Sequence, residues 1–150
     1  MPATTTFFLD ANIVLYAAGA PHEHRESCIE VLRAGAAGGL HVVSDSEVLQ
    51  ELLHVSVRRG RRAEAGAIVR KTMDACAETL PVTADDVAEA CAIAASVDGL
   101  PARDAVHAAV MRRHGIRDIV SVDPDFDRIP GIRRLTPYEA VRAMRRAAGG

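Results

Sequence analysis

The stretch Phe7-Phe8-Leu9-Asp10-Ala11-Asn12 decides the fold. Two aromatics and a leucine read as a short buried strand over residues 6–10, and the aspartate stops it. Ile13-Val14-Leu15-Tyr16-Ala17 then reads as helix over residues 11–18, ended near Gly19-Ala20-Pro21. A carboxylate at the carboxyl end of a first strand is a site candidate, because open α/β sheets bind ligands beyond that end of their strands. Three further carboxylates have the placement to join it: Glu51, Asp104 and Asp123.

Outward from this stretch, strands alternate with helices. His22-Glu23-His24 opens a helix carrying Cys28, Ile29 and Leu32 on one face and broken by Gly35 through Gly39. The two histidines, two residues apart, do not share a helix face, so they read as a solvated helix start. Leu40-His41-Val42-Val43 is a second strand. Ser44-Asp45-Ser46-Glu47 fits a capping box for a helix with Val48, Leu49, Leu52, Leu53 and Val55 as its stripe and Glu51 on its flank. That helix runs out near Arg58-Arg59-Gly60, and another spans 61–77. Leu80-Pro81-Val82 is extended. Thr83-Ala84-Asp85-Asp86 caps a helix with apolar positions at Val87, Ala90, Cys91, Ala94 and Val97. A helix over 102–114 buries Asp104, Ala108 and Met111 with His107 beside them. Residues 118–122 form a buried strand, 132–135 a last edge strand, and Thr136-Pro137-Tyr138-Glu139 caps a terminal helix ending at Gly149-Gly150. This alternation argues for one domain of three-layer α/β/α type, a small parallel sheet covered by helices.

Composition narrows the function. The 150 residues carry 49% hydrophobic side chains but only 3% aromatic ones and no Trp, so small aliphatic residues build the core. A net charge of −2 leaves no large basic field for indiscriminate nucleic-acid binding. Three widely spaced cysteines, with Cys28 and Cys91 in apolar helical patterns, read as buried thiols in a reducing compartment. A secretory signal and a membrane-spanning run are not expected, which points to the cytoplasm.

The four acids explain one another. Asp10 and Asp123 follow strands; if those strands are central neighbours, both carboxylates face one crevice, and Glu51 and Asp104 approach from helices. Two unit charges about 4 Å apart repel by about 4 kcal/mol at an effective dielectric near 20, so protons or cations must neutralise the group. An oxygen donor set suits the hard cations Mg²⁺ or Mn²⁺, and such a centre can activate water against a phosphodiester. Asn12 and Ser121 stand where they can orient Asp10, Asp123 or the water, and Asp125 and Asp127 follow so closely that they compete with Asp123 for the fourth place. Arg58, Arg59, Arg103 and Arg128 are candidates for holding substrate phosphates.

The flanks of these acids resemble the PIN-domain family, especially VapC toxins of bacterial type II toxin–antitoxin modules. The matching motifs are Phe8-Leu9-Asp10-Ala11-Asn12, Glu51 within Ser46–Leu52, Arg103-Asp104-Ala105-Val106-His107-Ala108-Ala109, Ser121-Val122-Asp123-Pro124-Asp125-Phe126, and Leu135-Thr136-Pro137. The resemblance implies a metal-dependent ribonuclease using Mg²⁺ or Mn²⁺, dimeric, and inhibited by a small antitoxin. It implies Asp10 and Asp104 as the main metal ligands with Glu51 and Asp123 completing the site, which makes Asp10, Asp104 and Asp123 the metal candidates and all four acids the catalytic ones. Ser121 stands where Thr is common in the family and retains the hydroxyl. Two other readings compete. One is a PIN-like binding module without activity, which the presence of all four acids opposes. The other is an aspartate-based phosphatase or receiver, which needs an Asp-x-Asp or acidic pair and a strand-end Lys; here Asn12 occupies the second position and the only lysine, Lys71, is mid-helix.

Overall fold

A computed structural model describes residues 4–149. Five strands form one parallel sheet: β1 (Thr6–Leu9), β2 (His41–Asp45), β3 (Glu78–Leu80), β4 (Asp118–Val120) and β5 (Arg133–Leu135), in the order β3-β2-β1-β4-β5. Seven helices flank it: α1 (Ala11–Ala18), α2 (Arg25–Ala37), α3 (Ser46–Arg58), α4 (Ala65–Ala75), α5 (Ala84–Ser96), α6 (Ala102–Arg113) and α7 (Pro137–Gly149). Gly150, the expected end of α7, lies outside the described residues.

The chain builds outward from β1 to β3 on one side, then returns to lay β4 on the other. β1 and β4 are therefore neighbours whose connections leave in opposite directions, which opens a crevice at their carboxyl ends. Leu9 pairs with Val120 in register, and the Asp10 N–H donates to the Val120 carbonyl at 3.2 Å. A central strand is covered on both faces, so it needs no polar alternation. Phe8, Leu9, Ile119 and Val120 are accordingly inaccessible to solvent. Among the described residues, no helix is long and apolar enough to cross a membrane.

Several boundaries differ from the sequence reading. Strand β2 continues to Asp45, so Asp45 caps α3 by accepting the Val48 N–H at 2.8 Å. Ser44, expected as the cap, lies inside the strand and donates its hydroxyl to the Leu9 carbonyl at 3.0 Å. β3 starts before Leu80, at Glu78, where it can pair with Val43–Asp45. Residues 62–64 form a 3₁₀ turn before α4. Cys28 is buried as expected but Cys91 is exposed. Burial pushes the thiols of Cys28 and Cys76 up to about 12, which leaves them inert.

Two contacts hold the helical layers close. Thr83 and Asp86 form the capping box of α5, and Arg113 of α6 donates to both Asp86 oxygens at 2.7 and 2.9 Å. Gly35 of α2 lies against the Ala75 carbonyl at the end of α4, where a β-carbon would overlap the oxygen. Gly35→Ala is therefore expected to destabilise the protein by about 1–3 kcal/mol and lower its melting temperature by roughly 3–10 °C, measurable by calorimetry. An unchanged melt would mean that α2 and α4 separate at no energetic cost.

Candidate metal centre

Four elements deliver the acids to the crevice. Asp10 is the N-cap of α1: Oδ1 accepts the Ala11 N–H at 2.8 Å. Its Oδ2 accepts the Ser121 hydroxyl at 2.6 Å and the Asn12 amide at 3.1 Å. Asn12 also donates to Ser121 Oγ at 3.0 Å and accepts the Val122 N–H at 3.3 Å, and Ser121 Oγ accepts the Asp123 N–H at 3.0 Å. These bonds tie the turns after β1 and β4 into one frame and fix the Asp10 carboxylate in a single orientation.

Glu51 of α3 and Asp104 of α6 complete the approach. Carboxylate oxygens of Asp10 and Glu51 and a ring nitrogen of His107 lie within 4.8 Å of one another, as do oxygens of Asp104, Asp123 and Asp125. Asp125 thus stands beside Asp123 at the centre, although Arg128 donates to it at 2.8 Å. Asp127 is not brought in: Arg134 takes both its oxygens at 3.0 and 3.1 Å. Arg103 lies 3.2 Å from both Glu47 and Glu51, so its charge is committed to acids rather than free for phosphate. Arg58 and Arg59, at the end of α3, are exposed.

Two participants were missed in the sequence. His107 and Asp45 are both fully buried, and His107 Nδ1 lies 2.8 Å from Asp45 Oδ2. Asp45 resembles any helix cap in sequence, and its partner is 62 positions away. Placement of His107 beside the Asp104 stripe was the one available signal.

The electrostatics favour protons or a cation among the acids. Burial raises the Asp10 carboxyl above the usual range, against the opposing pull of His107 and the Ser121 hydrogen bond. Burial, then the charges of Asp10 and Asp123, pushes Asp104 up to about 8. Burial would lower His107, but the hydrogen bond and charge of Asp45, with Asp10 and Asp104 beyond it, push it up to about 9. Asp104 Oδ2 is buried with no hydrogen-bond partner, as is His107 Nε2. A buried oxygen left without a partner beside other carboxylates fits a divalent cation, which satisfies the orphan and cancels the repulsion together.

This fold and centre define a PIN-domain protein. The PIN-domain profile matches residues 7–132, and the chain belongs to that family. Within it, the chain is 38% identical over 127 residues to ribonuclease VapC13 of Mycobacterium tuberculosis, covering 85% of this chain and 97% of the relative. It is 32% identical over 133 residues to ribonuclease VapC7 of the same species, covering 88% and 92%. In structure it is similar to VapBC2 from Rickettsia felis bound to promoter DNA, with TM-score 0.69, 17% identity and coverage of 88% and 98%. It is also similar to M. tuberculosis VapC20, a toxin that cleaves the sarcin–ricin loop, with TM-score 0.65, 23% identity and coverage of 81% and 92%. These two solved structures share the fold.

Proposed function

We propose that the protein is a metal-dependent endoribonuclease, the toxin of a VapBC-type toxin–antitoxin pair, acting as one PIN-like unit in the cytoplasm. The observation that supports the reading is a pair of acidic groups, Asp10 with Glu51 and His107, and Asp104 with Asp123 and Asp125, in which the charges of Asp10 and Asp123 act on Asp104 and a buried Asp104 oxygen is unpartnered. Asp10, Asp104 and Asp123 would hold Mg²⁺ or Mn²⁺, with Asp125 the neighbour that competes with Asp123. The ion, when bound, supplies charge for the scissile phosphate and lowers the pKa of a water. Asn12 and Ser121 would hold Asp10 in place for the ion through their bonds to its Oδ2. Glu51 of α3, paired with Arg103 and close to Asp10, would accept a proton from the attacking water. The ribonuclease names of the curated relatives support RNA as substrate, and the VapBC complexes among the structural neighbours support a small antitoxin partner. A homodimer follows from the same family reading.

The test is cleavage of a mixed structured RNA in Mg²⁺, in Mn²⁺ and in EDTA, by the wild type and by Asp10→Asn. Metal-dependent cutting absent from the variant is expected. Equal cutting in EDTA, or by the variant, would overturn the metal mechanism.

Binding of the ion has its own thermal signature. Asp104, held near pH 8 rather than 3.8, keeps a proton in the folded state that the unfolded chain releases. The metal-free protein therefore loses stability as pH rises from about 4 to about 8, and the cation replaces that proton. Mn²⁺ at about 100 times its dissociation constant is expected to stabilise by about 2.7 kcal/mol, or roughly 5–10 °C. The concentration needed should fall between pH 6 and pH 8. A midpoint indifferent to pH would place the ion elsewhere.

A further inference from the structure

A cavity of about 400 Å³ opens beside Asn12, lined by Tyr16, Gly19, Pro21, His22 and Arg59. It adjoins the metal centre through α1: Tyr16 lies one helical turn beyond Asn12, and residues four apart share a face. Asn12 is the side chain whose amide bonds both Asp10 and Ser121. A ligand in this cavity would lie next to whatever occupies the crevice.

The walls suit a nucleobase. All three phenylalanines are in the core, so Tyr16 is one of only two aromatic residues of the Phe, Tyr and Trp set left outside it. Its ring packs at a tilt against that of His22, centroids 4.6 Å apart, and meets His24 edge-on at 5.5 Å, and the two imidazoles are 5.3 Å from each other. The pair of histidines that reads in sequence as a solvated helix start thus packs against Tyr16, and His22 shares the cavity wall with it. Arg59 stands on the rim, exposed, and among the described residues it takes part in no ion pair. The other basic candidates near the acids are committed: Arg103 to Glu47 and Glu51, Arg128 to Asp125. Aromatic rings beside a free guanidinium are the composition that binds single-stranded nucleic acid by stacking plus phosphate contact. A chain of net charge −2 without a basic field must gain RNA affinity from such local contacts.

We propose that this cavity is a nucleobase subsite of the ribonuclease: an unpaired RNA base next to the scissile phosphate stacks on Tyr16 and His22 while Arg59 holds an adjacent phosphate. The inference rests on the nuclease reading, but the two fail differently. The subsite selects single-stranded or looped RNA, because a base within a duplex cannot be presented to it.

The test measures fluorescence anisotropy with three labelled 12-mers: oligoadenylate, oligouridylate and an abasic ribose-phosphate chain. Asp104→Asn, remote from the cavity on α6, serves as the non-cleaving parent. Adding Tyr16→Ala is expected to weaken oligoadenylate binding about tenfold and leave the abasic chain within twofold, while Tyr16→Phe retains affinity. Arg59→Gln is expected to lower the salt slope by about 0.7 on all three chains. Circular dichroism melts check that each variant folds. Equal loss on oligoadenylate and the abasic chain, no loss on either, or no oligoadenylate binding by the parent would each overturn the subsite. Metal-dependent cleavage by the wild type would leave the nuclease reading standing in all of these cases, and its absence would remove that reading separately.

Discussion

Asp104→Asn is expected to reduce RNA cleavage about a thousandfold while making the metal-free protein more stable. The first half follows from the ion. Its charge stabilisation is worth several kcal/mol in a phosphoryl-type transition state, and about 4 kcal/mol corresponds to a factor near 10³. The second half follows from burial. Asp104 is 8% exposed, its Oδ2 has no partner, and burial together with Asp10 and Asp123 pushes its carboxyl up to about 8. The folded wild type therefore holds a proton that the unfolded chain gives up above about pH 4, and its stability declines as pH rises through about 8. Asparagine has no such proton. Melting curves in EDTA should nearly coincide at pH 5 and separate in favour of the variant at pH 8.5. Added Mn²⁺ should reverse the order, since only the wild type gains the ion. A variant less stable than the wild type at pH 8.5 in EDTA would show that Asp104 is a structural residue, whatever it did to cleavage.

That opposition between function and stability explains why the site was legible in the sequence. An aspartate heading the apolar stripe of α6, or ending a strand of Phe7, Phe8 and Leu9, is costly for folding, so it stands out against its neighbours. The same contrast located β1 and β4, and with them the crevice. It failed where side chains give no contrast. In α5 the buried positions include Asp86, Ala90 and Ile93, but Cys91 falls one residue off that face, and an alanine-rich helix does not show which face is which. Ser44 and Asp45 are both good caps, and only the length of β2 decides between them. Asp127 carries the same charge as Asp123 and Asp125; the nearness of Arg134, not anything local, turns it away. Arg103 beside Asp104 looked available for phosphate, yet Glu47 and Glu51 come from a different helix to meet it.

The pairing of Asp45 with His107 carries the other large effect. Asp45→Ala is expected to cost about 3–5 kcal/mol, because it leaves a buried imidazolium without its partner; melting should fall by roughly 6–20 °C. Asp45 sits where β2 becomes α3, and His107 lies three residues beyond Asp104 on α6. The pair therefore joins the helix that carries Glu51 to the helix that carries Asp104. His107, raised from 6.5 to about 9, contributes stability that is fully present below pH 6.5 and lost as pH rises through about 9. Urea titrations of Asp45→Ala against wild type should accordingly show a large difference at pH 6 and a much smaller one at pH 9.5, where the residue of about 1 kcal/mol is the lost helix cap. Asp45→Asn, which retains a capping oxygen, should recover that residue but not the pH-dependent part. Equal destabilisation at pH 6 and pH 9.5 would mean that His107 is neutral in the folded protein, with Asp45 acting as a cap and hydrogen-bond acceptor alone.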